Sequence, residues 1–318
     1  MLELKMRKLR SGEEETFLEL MHSAFGPEAH FALYFEFDEL LSAEDTWIIC
    51  VGERIVAGLQ IFTRRVRLAG ENVLLGGIGS VATHADYERR GFATRLLRAA
   101  LREMQRRGMV ISLLFTSRTS FYERLGWIQI PYRVWACREP RLFNAIQQRP
   151  MEMTDLPRVM DLYRGYTQRL DGATDRDEVY WRGQLHVAGD SGEDFRVLER
   201  NGEVVAYARV IPFEGIRRVI ELARADDAAI ELSHLLAFMA PQDEALFVPD
   251  ADDPELQAAC RDSFGDCRRV EFPDQMWRVL DRERLESLAS APANSSDRAL
   301  LEAIVGHERS LFWPSDRF

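Results

Sequence analysis

The sequence predicts an α/β (α+β) fold in two consecutive domains, each a mixed twisted sheet flanked by helices, followed by a C-terminal tail. The 318 residues are about twice an ordinary domain, and 46% apolar with 29% charged residues suffice to bury a sizeable core. Residues 1 to 140 alternate between strand-like and helix-like spacing in the order β, α, α, β, β, β, α, β, α, β. A fainter version of the same order returns after Pro150. The expected divisions are residues 1–145, residues 146–282, and a linker with tail at 283–318.

Leu2 to Leu9 reads as a strand, and Ser11 with Glu14 three residues on has the form of a capping box that opens a helix. A second amphipathic stretch follows near Glu28 to Leu41. Trp47 to Val51, Arg54 to Arg67 and Asn72 to Thr83 read as a meander, turning at Gly52-Glu53 and Ala69-Gly70. The clearest helix opens at Gly91. Ala93, Leu96, Leu97, Ala100, Leu101 and Met104 share one face, and Arg106, Arg107 and Gly108 supply the charge and glycine that a helix C-terminus favours. An apolar strand at Met109 to Phe115, a short helix around Ser120 to Leu125 and a strand from Trp127 to Cys137 complete the first unit.

In the second unit, Thr154 to Leu170 and Ala228 to Phe238 read as helices. Phe195 to Leu198, Val204 to Ile211, Val219 to Ala223 and Leu246 to Val248 read as strands. Asp253 to Phe264 and Cys267 to Leu280 follow as a helix and a closing strand or hairpin. Ser287 to Asp297, with its Ala, Pro, Asn and Ser, reads as a linker into a tail, Ala299 to Phe318.

Forty-one Lys and Arg against 52 Asp and Glu leave a net charge of −11, which argues against nucleic-acid partners and suits positively charged small molecules. No stretch approaches 18 uninterrupted apolar residues, and the charged N-terminus lacks a signal-peptide core. The expectation is a soluble, cytoplasmic protein without a membrane partner. Cys50, Cys137, Cys260 and Cys267 are too sparse for a disulfide scaffold and are expected as reduced thiols. The histidines form no H-x-x-x-H pair, so no metal is expected. Charge is unevenly spread: Ser11 to Glu53 holds 11 acidic residues and no Lys or Arg, whereas Ile61 to Pro140 holds 14 positive and 6 negative side chains.

Between the third meander strand and the clear helix lies Ser80-Val81-Ala82-Thr83-His84-Ala85-Asp86-Tyr87-Glu88-Arg89-Arg90-Gly91-Phe92-Ala93-Thr94. A helix N-terminus offers about four free N–H groups and the positive end of the helix dipole, and a glycine there admits a bulky anion. The segment therefore reads as an anion cradle flanked by Arg89 and Arg90. Two other glycine motifs fail. Gly77-Ile78-Gly79-Ser80-Val81-Ala82 fits the dinucleotide fingerprint with alanine last, but residues 83 to 90 hold no apolar helical face for it to open. No glycine is followed by Lys and then Ser or Thr, which excludes a P-loop.

Glu88-Arg89-Arg90-Gly91-Phe92-Ala93 resembles the signature of the GNAT superfamily of acyl-CoA-dependent N-acyltransferases, with Glu88 where the family prefers Gln or Arg. Ser120-Phe121-Tyr122-Glu123-Arg124-Leu125-Gly126-Trp127 resembles that family's later motif, in which an aromatic follows Tyr-x-x-x-Gly. Val81-Ala82-Thr83, Arg89-Arg90-Gly91 and Ser117 to Tyr122 are closest to the Eis-like branch, whose members place a second, degenerate GNAT-like domain after the first. Two tandem GNAT-like domains are thus implied, with about 37 residues left where the branch carries a third domain. Homo-oligomerisation is left open.

The resemblance implies acetyl-CoA as co-substrate and a small-molecule amine as acceptor. Main chain at Val81, Ala82 and Thr83 would pair with the pantetheine arm, and Arg89, Arg90, Gly91, Phe92, Ala93 and Thr94 would hold the diphosphate, with Ser117 touching the coenzyme. The amine would attack the thioester directly, with Tyr122 as proton donor to the leaving thiolate. The C-terminal carboxylate, here on Phe318, is the implied group on the amine side, and His84, Glu36 and Asp38 are its rivals as base. Glu36 and Asp38 are also expected to attract a cationic acceptor such as an aminoglycoside, a polyamine or a lysine-like amine. The second domain should not bind coenzyme, because Leu222 to Asp227 lacks Gly-x-Ala and paired arginines. A non-catalytic acyl-CoA-binding or sensory module is the alternative.

Overall fold

A computed structural model of the chain describes residues 3–26, 31–141, 143, 147–189, 192–213, 215–292 and 294–318. The first half runs β1 (Leu4–Lys8), α1 (Glu14–Phe25), α2 (Phe31–Phe37), β2 (Thr46–Val51), β3 (Arg54–Leu68), β4 (Glu71–Thr83), α3 (Phe92–Arg106), β5 (Ile111–Phe115), α4 (Thr119–Glu123) and β6 (Ile128–Gln129). The second runs β7 (Tyr132–Pro140), β8 (Gln147–Pro150), α5 (Leu156–Thr167), α6 (Glu178–Gly189), β9 (Asp194–Arg200), β10 (Glu203–Phe213), β11 (Ile216–Arg224), α7 (Ala229–Met239), β12 (Leu246–Pro249), α8 (Pro254–Ser263), β13 (Phe264–Phe272) and β14 (Gln275–Val279). The chain then closes with α9 (Arg282–Ala289), α10 (Asp297–Val305) and a turn of 3-10 helix at Pro314–Asp316.

Two seven-stranded mixed sheets result, ordered β1-β2-β3-β4-β5-β14-β6 and β8-β9-β10-β11-β12-β7-β13. The orders correspond strand for strand, with the parallel pair at β4–β5 in one and at β11–β12 in the other. Each sheet takes its sixth strand from the other of the two expected domains, β14 from residues 146–282 and β7 from residues 1–145. The expected strand at Trp127–Cys137 is therefore divided: β6 stays in the first sheet, while β7 crosses at Ile130-Pro131 to lie between β12 and β13. The expected strand or hairpin at Cys267–Leu280 is likewise divided: β13 lies beside β7, and β14 returns to the first sheet beside β5. Periodicity identifies strands but not their partners. A division at residue 145 thus separates sequence, not sheets.

The exchange also corrects the cysteine reading. Cys137 and Cys267 stand directly opposite each other on β7 and β13 and are disulfide-bonded, whereas Cys50 and Cys260 are free and buried. The two partners are 130 residues apart, so spacing gave no hint of the pair.

One face of the first sheet is covered by α3, whose Phe92, Leu96, Leu97, Ala100 and Met104 are buried as the helical spacing predicts. The other face is covered by α9 and α10, through Leu285, Leu288, Leu300, Leu301, Ile304 and Val305. Part of the expected linker is thus the last turn of α9, and the tail is a packed layer. The cap of α1 is also shifted, because Gly12 turns at φ +89° and Glu13, not Ser11, occupies the cap position. Of the expected second amphipathic stretch, α2 forms from Phe31, and residues 28–30 lie outside the described residues. Helix α6 had no clear signal, since Gly183 and Gly189 weaken helical propensity. Gly183 is required there, as a side chain would strike the Phe37 carbonyl where α2 meets α6.

Candidate active site

The first sheet opens along β4. This strand pairs with β5 only from Leu75 to Gly77, opposite Ile111 to Leu113, although β4 runs on to Thr83 and β5 to Phe115. A bulge bends it away: Gln60 faces Gly79 and Gly58 faces Ala82, so Ser80 and Val81 both stand opposite Leu59. Ser80 is held at φ +52°, a region costly for a side-chain-bearing residue, by its hydroxyl, which donates to Gln60 Oε1 at 2.5 Å. Gln60 in turn donates to Thr46 Oγ1 at 3.3 Å. Val81, Ala82 and Thr83 consequently present the edge that β5 has left, while β3 pairs with the other.

After Thr83 the chain makes a 3-10 turn, capped by His84, whose Nδ1 accepts from the Asp86 N–H at 3.2 Å. Arg89 and Gly91, at φ +58° and +77°, swing it into α3. Among the described residues none accepts a hydrogen bond from the main-chain N–H groups of Arg89 to Thr94. A side chain built on Gly91 would meet nothing within 4 Å, and Arg89 and Arg90 are exposed. The helix entrance is therefore an open row of donors at the positive end of α3, beside two guanidinium groups. Phe92 is buried beneath it, and Ala93 and Thr94 are half-buried. Ser117, exposed on the loop leaving β5, stands at the same C-terminal edge of the parallel pair.

The equivalent entrance in the second sheet is plugged. Arg224 places its guanidinium on Asp253 at 2.8 Å through both Nε and Nη2, on Glu255 at 2.9 Å, and on the carbonyls of Ala225 and Asp226 ahead of α7. Calorimetric titration with acetyl-CoA is expected to show one site per chain, and Gly91→Val should weaken it by about tenfold or more. A second equivalent, or unchanged affinity in the variant, would rule out this groove as the coenzyme site.

Tyr122 and Phe318 occupy opposite faces of the first sheet. Tyr122, on α4, is 9% exposed and packs edge-on against Phe121 and Trp127 in the layer shared with α3. Burial raises its phenol to about 12, with Arg118 pulling the other way. The turn behind it, at Leu125-Gly126, is tied to β14 by Arg278, which donates to the Leu125 carbonyl. Phe318 lies on the α9–α10 face, its ring stacked on Phe62 at 5.2 Å and close to Phe115 and Phe312. It rests on bare backbone: a Cβ at Gly77 would overlap the ring, and one at Gly79 would sit 3.1 Å from the Phe318 carboxyl carbon. Ile78, between these glycines, faces the α3 layer. The two candidate groups thus flank β4 where it parts from β5.

A cleft of about 230 Å³ adjoins the tail, walled by Tyr34, Phe37 and Asp38 beside α2 and by Tyr180 and Gln184 on α6. Asp38 lines it but is paired with the buried Arg64 at 2.6 Å, and Glu36 is exposed and outside the lining. Burial alone would pull Arg64 down; Tyr180, Asp38 and Asp316 outweigh it and hold the guanidinium above its ordinary value. The negative charge offered to an incoming cation therefore falls on Glu39, Asp175 and Asp177, which are exposed along the cleft. His84 is placed in the turn before α3, on the coenzyme side, with Arg54 Nη2 2.6 Å from its Nε2.

Sequence reasoning missed Arg64, the Ser80–Gln60 support of the bulge, and the seat of Phe318. The last had a signal: glycines two apart in a strand strip one face of side chains and mark a close approach.

Residues 5–130 match the family of the acetyltransferase (GNAT) domain. No curated protein matches the sequence. Among solved structures, the fold is similar to that of a GCN5-related N-acetyltransferase from Anabaena variabilis, at 16% identity over 87% of this chain and 73% of that one, with a TM-score of 0.68. A GCN5-related N-acetyltransferase from Kribbella flavida gives 19% identity, 89% and 73% coverage and a TM-score of 0.67. Eis1 from Mycobacterium abscessus gives 16%, 90% and 76%, and 0.64. Residues 5–130 are thus similar to the GNAT acetyltransferase domain, and the chain as a whole shares the fold of these three structures.

Proposed function

We propose that the chain is an acetyl-CoA-dependent N-acetyltransferase that transfers acetyl directly to a primary amine of a small cationic acceptor. The observation that carries this reading is the parting of β4 and β5, with an open row of α3 N–H groups at its mouth, Tyr122 on one face and the Phe318 carboxylate on the other. A diphosphate on the Arg89–Thr94 donors would lay the pantetheine arm along the free edge of Val81–Thr83, which brings the thioester to the gap. The amine nitrogen then bonds to the carbonyl carbon and the C–S bond breaks. The ammonium-side proton leaves towards the Phe318 carboxylate, and the departing sulfur is met by the Tyr122 hydroxyl. The exposed Glu39, Asp175 and Asp177 draw the cationic acceptor into the cleft, and the second domain closes it through α6.

The test is thiol release from acetyl-CoA by the full chain with kanamycin, spermidine or lysine, followed by mass analysis of the amine. Release with at least one of them, matched by an acetylated product, is expected. Silence with all amines alongside tight coenzyme binding would favour the binding module instead.

A further inference from the structure

The segment just before Phe318 is fixed by the second domain. Arg176 lies on the approach to α6 with its side chain wholly buried. Its Nε and Nη2 donate to Asp316 Oδ1 and Oδ2 at 3.0 and 2.8 Å, and Nη2 also reaches Ser315 Oγ at 2.9 Å and Glu221 at 2.7 Å. Ser315 Oγ donates to Glu221 Oε2 at 2.5 Å. From α6, the Tyr180 hydroxyl donates to Asp316 Oδ1 at 2.9 Å, and Gln184 Nε2 donates to the Ser315 carbonyl at 2.7 Å. Burial would lower Arg176 and raise Glu221, but Asp316 and Glu221 act on the first, and Arg176 and Arg209 on the second, strongly enough to reverse both.

A buried ion network is a weak source of stability, and its best-attested use is to select one register. The apolar residues Leu311, Phe312 and Trp313 bury the tail, and main-chain hydrogen bonds of Asp171 with Arg309 and Leu311 hold its start, which leaves the segment after Trp313 to be fixed by side chains. The planar fork of Arg176 on Asp316 fixes both distance and rotation. Asp316 is two residues from the terminal carboxylate, a reach of about 7 Å. Glu221 sits on β11 beyond Arg217 and Arg218, the last residues that pair with β12. In the first sheet the corresponding opening faces the coenzyme groove; here it takes the tail.

We propose that Arg176 and Glu221 are positioning residues, and that the degenerate second domain is a clamp that sets the tail's register and so delivers the Phe318 carboxylate to Gly79. The proposal rests on the terminal role given to Phe318 above. It is tested on the full chain by following release of Phe318 by a carboxypeptidase, together with acetyl-CoA affinity and thiol release. Arg176→Gln and Glu221→Gln should release Phe318 at least about tenfold faster than the parent, with coenzyme affinity retained and turnover reduced. General destabilisation would instead weaken coenzyme binding in step. Because Arg176→Gln leaves the buried Asp316 without its ion-pair partner and Glu221 with only Arg209, 3.7 Å away, the milder pair Tyr180→Phe with Ser315→Ala is measured beside it, and intermediate release is expected. Release no faster than the parent in the folded variants would overturn the clamp. Fast release with undiminished turnover would uphold the clamp and remove the terminal carboxylate from the chemistry, so the two readings fail separately.

Discussion

Replacing Tyr122 with Phe should lower kcat by roughly ten- to a thousandfold while leaving acetyl-CoA affinity within about twofold. The side chain is 9% exposed, and its ring contacts with Phe121 and Trp127 survive the loss of one oxygen, so the melting temperature should hardly move. With the phenol pushed up to about 12, full proton transfer to a thiolate of pKa about 8.5 would be uphill by about 5 kcal/mol. Hydrogen bonding to the developing thiolate needs no such transfer and stabilises the charge as it forms. The sign of the pH dependence follows. The donor form is the protonated one, and a raised pKa preserves it as pH climbs, so this group causes no fall in kcat between about pH 7 and 10. Any rise across that range belongs to deprotonation of the amine and should persist in Tyr122→Phe. Unchanged turnover in the variant would remove Tyr122 from this role, whereas an alkaline fall below about pH 10 that the variant abolishes would keep the role and overturn the raised pKa.

Much of the first domain was legible because its signals are local. The β2–β3–β4 meander follows from alternation between turn residues, and α3 follows from a one-sided apolar stripe closed by Arg106, Arg107 and Gly108. The anion cradle was equally local, since a glycine ahead of a strong helix is a short-range feature, and the structure leaves its donors open. The exchange of β7 and β14 was not legible, because a strand's pattern carries its facing but not its neighbour. The disulfide followed that exchange out of sight. Asp38 shows a different limit. An acidic run predicts negative potential, yet Arg64, 26 residues away, cancels the very carboxylate expected to face the acceptor. The buried Arg176–Asp316–Glu221 network joins residues up to 140 apart, and in sequence each is an ordinary charge of the kind that usually sits in solvent.

Removing Arg317 and Phe318, or extending the chain by a few residues, should reduce kcat by about tenfold to a thousandfold and change stability far less. The seat of Phe318 explains why the effect is local. Its ring closes a surface made by Phe62, Phe115 and Phe312, with Arg64 5.9 Å from the ring centre, and the carboxyl carbon lies over Gly79. A terminal carboxylate of pKa about 3.5 cannot deprotonate a free ammonium near 10 without a cost of about 9 kcal/mol. It can hold the amine, and it becomes an adequate acceptor once N–C bond formation has acidified that nitrogen. The same loss should follow from Gly77→Leu, which leaves the terminus intact but fills the place of the ring, whereas Phe318→Leu keeps the carboxylate with less stacking and should fall between. If the extended chain and Gly77→Leu both turn over at the parental rate, the carboxylate has no part in the reaction. If Gly77→Leu alone is impaired, the ring matters for packing and the base must be sought among other groups or water.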